Sequence, residues 1–225
     1  MSLFGWIKRI CALPAKDIKS ELRTRFALNS LVMFAVVTLV VISFSLGPRT
    51  VDPQIHAVLL WVTLFFSSMA GLTRGMVKEV ELKTADALRL AVPAEVVYWG
   101  KLFFHVALLA PVNGIILVLY YFFMSPPWTC IGGTALIVLL GTLALSGATT
   151  LLSAIVARAA IKGSLLPVLA FPVLLPVLLA AVQATRMSLE GRPLADWFGE
   201  LLMIFFYTSL LITASHLLFP VVWEE

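Results

Sequence analysis

The sequence predicts an all-α integral membrane protein with six transmembrane helices and both termini in the cytoplasm. Composition is the first reason. Hydrophobic residues make up 61% of the 225 and charged residues only 12%, with a mean hydropathy of +1.03. A soluble domain of this length needs far more charged surface. The second reason is six uncharged runs, Phe26–Leu46, Ile55–Thr73, Leu102–Met124, Cys130–Ala157, Ser164–Thr185 and Leu201–Trp223. Each is near or above the roughly 20 residues that cross about 30 Å of hydrocarbon. The third is charge asymmetry. Of the 16 Lys and Arg residues, Arg49, Arg186 and Arg192 fall on one side and all the others on the opposite side. Cytoplasmic loops carry the Lys/Arg excess, which places both termini inside. The net charge of +4 and pI near 9.3 therefore read as membrane topology and not as nucleic-acid binding.

Taken in order, residues 1–25 form a cytoplasmic amphipathic segment. Ile18, Leu22 and Phe26 recur every four residues, with Lys16, Lys19, Arg23 and Arg25 on the other faces. That pattern suits a helix lying on anionic lipid. Leu3, Phe4, Ile7 and Ile10 repeat it more weakly upstream, and Pro14 is expected to divide the two. A signal peptide is not expected, because the first long apolar run begins only at Phe26. Cys11 and Cys130 fall on opposite sides of the membrane, so they cannot pair within one chain and read as ordinary thiols.

The spans are expected at 26–46, 55–73, 98–124, 130–157, 164–185 and 201–223. Gly47–Gln54 and Ser125–Thr129 are short Pro-containing turns. The fourth span is long and must tilt or extend past the bilayer. It carries a small-residue stripe, Ser146, Gly147, Thr150 and Ser153, suited to close helix packing. Pro167, Pro172 and Pro176 invite a kink in the fifth. Residues 186–200 read as a short outer interfacial helix, with Pro193 at its first position and Leu194, Trp197, Phe198 and Leu201 on one face. A plain aromatic anchor is the alternative.

Residues 74–95 are the longest charged interruption. They hold Arg74, Lys78, Lys83 and Arg89 against Glu79, Glu81, Asp86 and Glu95, with apolar residues between at helical spacing. Thr84 suits a helix cap, Asp86 its first turn and Pro93 its end, and Glu79–Lys83 is a favourable surface pair. The segment reads as a cytoplasmic handle for a partner, or else as a solvated loop.

No charged side chain is expected deep in a span, which argues against a self-powered ion-coupled carrier. A phosphate-binding loop is also missing, so this chain does not hydrolyse ATP by that machinery. His105 and His216 fall at similar expected depth, on the order of 10 Å from the inner interface at 1.5 Å per residue. They are candidate axial ligands for haem, or else they simply hydrogen-bond neighbouring helices. Ala144-Leu145-Ser146-Gly147 and His216 also allow a rhomboid-like intramembrane serine protease. Ala144 stands where that motif needs glycine, and the second span has no His/Asn pair for an oxyanion hole.

The layout, with the stretches KDIKSELRTRF, SLGP, LLWVTLFFSSMAGLTR, TADALRL and LLGTLALSGATTLLSAIVARAAIKGSLLPVLAFPVLLPVLL, resembles the membrane subunits of ABC-2-type exporters. It is most similar to the haem exporter protein B (CcmB) family of cytochrome c maturation. That family's cytoplasmic loop has an acidic-Gly-[ST]-Leu-Glu-like turn. Leu82, Lys83, Thr84, Ala85 and Asp86 stand there, without the glycine, so one longer helix is an alternative.

The resemblance implies an ABC-2-type permease fold in the bacterial inner membrane, with a separate ABC ATPase that binds ATP. Glu79, Lys83, Thr84, Asp86, Leu88 and Arg89 would form the coupling segment seated on that ATPase. A second copy of the chain, haem-handling membrane subunits and a haem chaperone are the other implied partners. Haem is the implied cargo, and no cofactor is expected on the chain itself. A permease of the same architecture for a lipid or glycan is the alternative.

Overall fold

The computed structural model describes residues 3–24, 26–47, 51–72, 90, 92–126, 131–158 and 165–224. Seven helices account for nearly all of them: α1 (Leu3–Thr24), α2 (Phe26–Leu46), α3 (Pro53–Leu72), α4 (Ala94–Met124), α5 (Ile131–Arg158), α6 (Leu165–Leu189) and α7 (Leu194–Glu224). No strand occurs among the described residues. Helices α2 to α7 are the six long and apolar enough to cross a membrane.

Local chemistry sets the helix ends. Asp52 Oδ1 accepts the Gln54 N–H at 2.7 Å, and Pro53 brings no N–H to the first turn of α3. Helix α4 follows Pro93, with Glu95 in the first turn at the positive end of the helix dipole. It stops at Ser125, which adopts the left-handed conformation (φ 45°, ψ 51°) just before Pro126. The α6–α7 corner is closed by Gly191 at φ +72°. Its N–H bonds to the Ser188 carbonyl and the Arg192 N–H to the Met187 carbonyl, both at 3.1 Å, the paired bonds of a Schellman cap.

Three expectations change here. Pro14 does not divide the amphipathic segment, and α1 runs through it as one helix. Pro14 is buried, so the packed environment offsets the backbone bond that the ring removes. Helix α4 starts at Ala94, four residues before the expected boundary, which brings Glu95 into its first turn. No separate interfacial helix spans 186–200. Its first residues finish α6, and its last ones open α7, which continues unbroken because nothing after Pro193 stops it. Trp197 is only 2% exposed and donates its indole N–H to the Arg192 carbonyl at 3.3 Å, so it packs inward and is no anchor in the headgroups.

Helix α5 is the centre of the bundle, packed against α4, α6 and α7 and touching α3. Residues 144–150 are buried without a break. Gly141 lets the Trp61 indole of α3 lie directly on the α5 backbone, in the space a side chain would fill. The indole N–H then reaches Thr185 Oγ1 of α6 at 2.9 Å, so three helices meet at one ring. Helix α6 stays continuous through Pro172 and Pro176. Near the disturbed turn, Tyr207 of α7 donates its hydroxyl to the Val173 carbonyl at 3.0 Å. Helices α2 and α7 are peripheral and turn Met33, Val37, Phe44, Phe206, Leu210 and Leu217 outward, as lipid-facing helices do.

Candidate functional site

Glu79, Lys83, Thr84, Asp86, Leu88 and Arg89 lie outside the described residues. The described structure does fix where their segment attaches. It leaves α3 at Leu72 and joins α4 at Ala94, and the first turns of α4 are driven into the bundle. Ala94, Val96, Val97, Tyr98, Gly100, Lys101 and Leu102 are all buried there.

Tyr98 is the centre of a small apolar cluster at this end. Its ring meets Phe219 at 5.5 Å between centroids, and Trp223 stacks on Phe219 at 5.7 Å. Its hydroxyl donates to the Ile212 carbonyl at 3.0 Å. The start of α4 and the end of α7 are thereby joined, and α1 lies against the same turns of α4. Helix α1 and the last turns of α7 belong to this end of the bundle.

The charged contact here is Asp17 with Lys101. The ammonium sits 2.7 Å from Asp17 Oδ2, with Lys101 3% and Asp17 11% exposed. One turn back on α1, Leu13 rests on Gly100, where an added Cβ would lie 2.9 Å from the Leu13 Cβ. Glu21, one turn further on, accepts the Leu28 N–H at 3.3 Å and so caps the start of α2. A close, charge-assisted bond beside a glycine contact holds α1 on α4 in one register.

A second polar seam runs between α4 and α5. Thr150 donates its hydroxyl to the Ser146 carbonyl at 2.7 Å, so its oxygen accepts from His105 Nδ1–H at 2.9 Å. That leaves His105 Nε2 as the ring's lone-pair nitrogen, buried and without a partner among the described residues. Eight residues further along each helix, Asn113 donates to Thr142 Oγ1 at 2.9 Å. The equal spacing is what two antiparallel helices in straight register require.

The other sequence candidates are placed as follows. His216 packs between Tyr98 and Trp99, at 5.5 and 5.6 Å, and its Nδ1 has no partner among the described residues. His105 lies seven residues beyond Tyr98 on α4, about two turns away. The two imidazoles therefore have different neighbours, His105 on Thr150 of α5 and His216 on the Tyr98 and Trp99 rings. Ser146 donates to the Thr142 carbonyl of its own helix at 2.8 Å, a bond that leaves it turned to its own helix, not poised on His216. Ser153 likewise bonds back to Thr150 at 3.1 Å. A Cβ on Gly147 would lie 2.9 Å from Ile212 Cγ1, so α7 approaches α5 closely there. Among the described residues no group of three or more His, Cys, Asp and Glu could hold a metal ion.

Asp17 and Gly100 carry no role in the sequence reading, and Lys101 enters it only as a topology charge. The available signal was Asp17 and Glu21 in a segment otherwise basic, one turn apart and in line with Leu13.

The fold and this joint define a multi-pass, all-helical membrane protein in which a charged contact joins α1 to the first turns of α4. Residues 8–216 match the family model described as CcmB protein, and the chain belongs to that family. Membership implies a membrane subunit of an ABC-type haem exporter in cytochrome c maturation, a transport component working with other proteins of that system. No curated protein matches the chain.

Proposed function

We propose that this chain is the permease subunit that couples ATP hydrolysis by a separate ABC ATPase to haem work in cytochrome c maturation. The work is export of haem or release of a haem-loaded chaperone. The family match over residues 8–216 carries this reading. Two features support it. The charged segment leads straight into the buried first turns of α4, so a push on it is delivered to the core. Helix α1 and the last turns of α7 meet the start of α4 at one end, and the Lys/Arg excess supports reading that end as the cytoplasmic face of the bacterial inner membrane.

In this reading Asp86, with Glu79, Lys83, Thr84, Leu88 and Arg89, seats on the ATPase. Closure of the ATPase pair displaces α4, and α5 passes the movement to α6 and α7. A second copy of the chain and haem-handling membrane subunits complete the assembly. The test is Asp86→Lys in the native membrane complex. Matured cytochrome c per ATP hydrolysed should fall roughly 10-fold, within the usual range of coupling energies. Unchanged assembly, ATP turnover and cytochrome yield would remove Asp86 from the coupling path.

A further inference from the structure

Helix α1 follows an unexpected path. It precedes α2 in the chain but packs mainly along α4. Leu13 and Asp17, one turn apart, meet the adjacent residues Gly100 and Lys101, which fixes both sliding and rotation of α1 on α4. Its outward face carries the exposed Lys16, Lys19 and Arg23. At 22 residues it is a rod about 33 Å long.

A buried ion pair is a weak choice for stability alone, because apolar residues of similar volume do as well or better. Its particular effect is on register. Lys101 of α4 meets Asp17 Oδ2 at 2.7 Å, whereas the exposed Lys16 of α1 itself is 3.8 Å from Oδ1, so the pair across the two helices is the closer one. The charge is also placed where movement would enter, about two turns after the point at which the 74–93 segment becomes α4.

We propose that Asp17 and Lys101 are positioning residues that make α1 and the first turns of α4 a single rigid lever. Displacement delivered through residues 74–91 then moves α1 with α4, and α1 carries it along the cytoplasmic membrane surface. This rests on the ATPase-coupled reading above. Without the pair, α4 would yield to the ATPase while α1 stays behind, and hydrolysis would continue without its output.

The test uses the full complex from native membranes, with Asp17→Asn, Lys101→Met, the conservative Lys101→Arg and the exchanged pair Asp17→Lys/Lys101→Asp. Three quantities are read: ATPase retained on the complex, ATP turnover, and matured cytochrome c per ATP hydrolysed. The single neutral variants should keep the ATPase and its turnover while the yield per ATP falls roughly 10-fold. The exchanged pair and Lys101→Arg should recover most of that yield. A wild-type yield in Asp17→Asn overturns the proposal. So does loss of the ATPase from the single variants, because the pair would then be an assembly contact only. So does failure of the exchanged pair to restore yield in an assembled complex. A wild-type complex that contains no ATPase would instead overturn the parent reading, before any variant is compared.

Discussion

The two ends of the bundle use charge in opposite ways. At the end that carries α1 and the last turns of α7, Asp17 and Lys101 are 84 residues apart in the chain, nearly closed to solvent, and join two helices. At the other end, Glu190 meets Arg186 at 3.2 Å and Arg192 at 2.6 Å, all within one corner and all 28–46% exposed. Arg186 also touches Gln54 at 3.4 Å. The outer cluster decorates a turn that Gly191 and its backbone bonds already close. The inner pair sets the position of a whole helix. Charges of the same kind thus finish a loop in one place and join two distant helices in another, and burial and chain separation tell the two apart.

Four changes would break or sharpen that contrast. Lys101→Met should have the largest effect, because it takes away the 2.7 Å partner of the nearly enclosed Asp17 carboxylate and leaves it the exposed Lys16 at 3.8 Å. A loss of up to about 3 kcal/mol is expected, the lower end of the range for breaking a buried pair because Lys16 remains beside Asp17, seen as a lower thermal midpoint in detergent; no shift would make the two ends equivalent. Gly147→Leu should cost about 1–3 kcal/mol by forcing Ile212 and α7 away from α5, and the same melting experiment would show it. Wild-type stability there would mean that α7 is held at its ends and not along its face.

Thr185→Val removes the acceptor of the Trp61 indole and should cost about 0.6 kcal/mol, a typical value for interhelical bonds in membranes. The shift in Trp fluorescence that accompanies it would report the freed indole. Glu190→Gln should be smallest, at about 0.2–1 kcal/mol, and should vanish at high salt. A larger or salt-independent loss would show that the outer corner is also a joint.

Much of this architecture was legible in the sequence, and the rest was hidden for identifiable reasons. The six apolar runs stand out because a span must be apolar over its whole length, and α2 begins at Phe26 and ends at Leu46 as that rule requires. Continuity was harder to read. Pro14 and Glu95 look like boundaries in a local window, yet α1 runs through the one and α4 includes the other. The Trp197 face suggests the interface, but it divides: Trp197 and Leu201 pack inward while Leu194 and Phe198 stay exposed. The joint was the least legible part. Asp17, Gly100 and Lys101 are unremarkable one by one, and only their meeting across the fold gives them a role. The ATPase-facing residues from Glu79 to Arg89 lie outside the described residues, so the segment itself is read from sequence pattern and family alone.

The central claim is that this chain transmits the work of a separate ATPase to haem handling. Its most direct test is gentle purification of the tagged protein from native membranes, followed by mass spectrometry of what is retained. The account predicts an ABC ATPase together with haem-handling membrane proteins. An ATPase recovered with a lipid- or glycan-building enzyme would contradict the cargo, and a chain recovered with no ATPase at all would contradict the coupling.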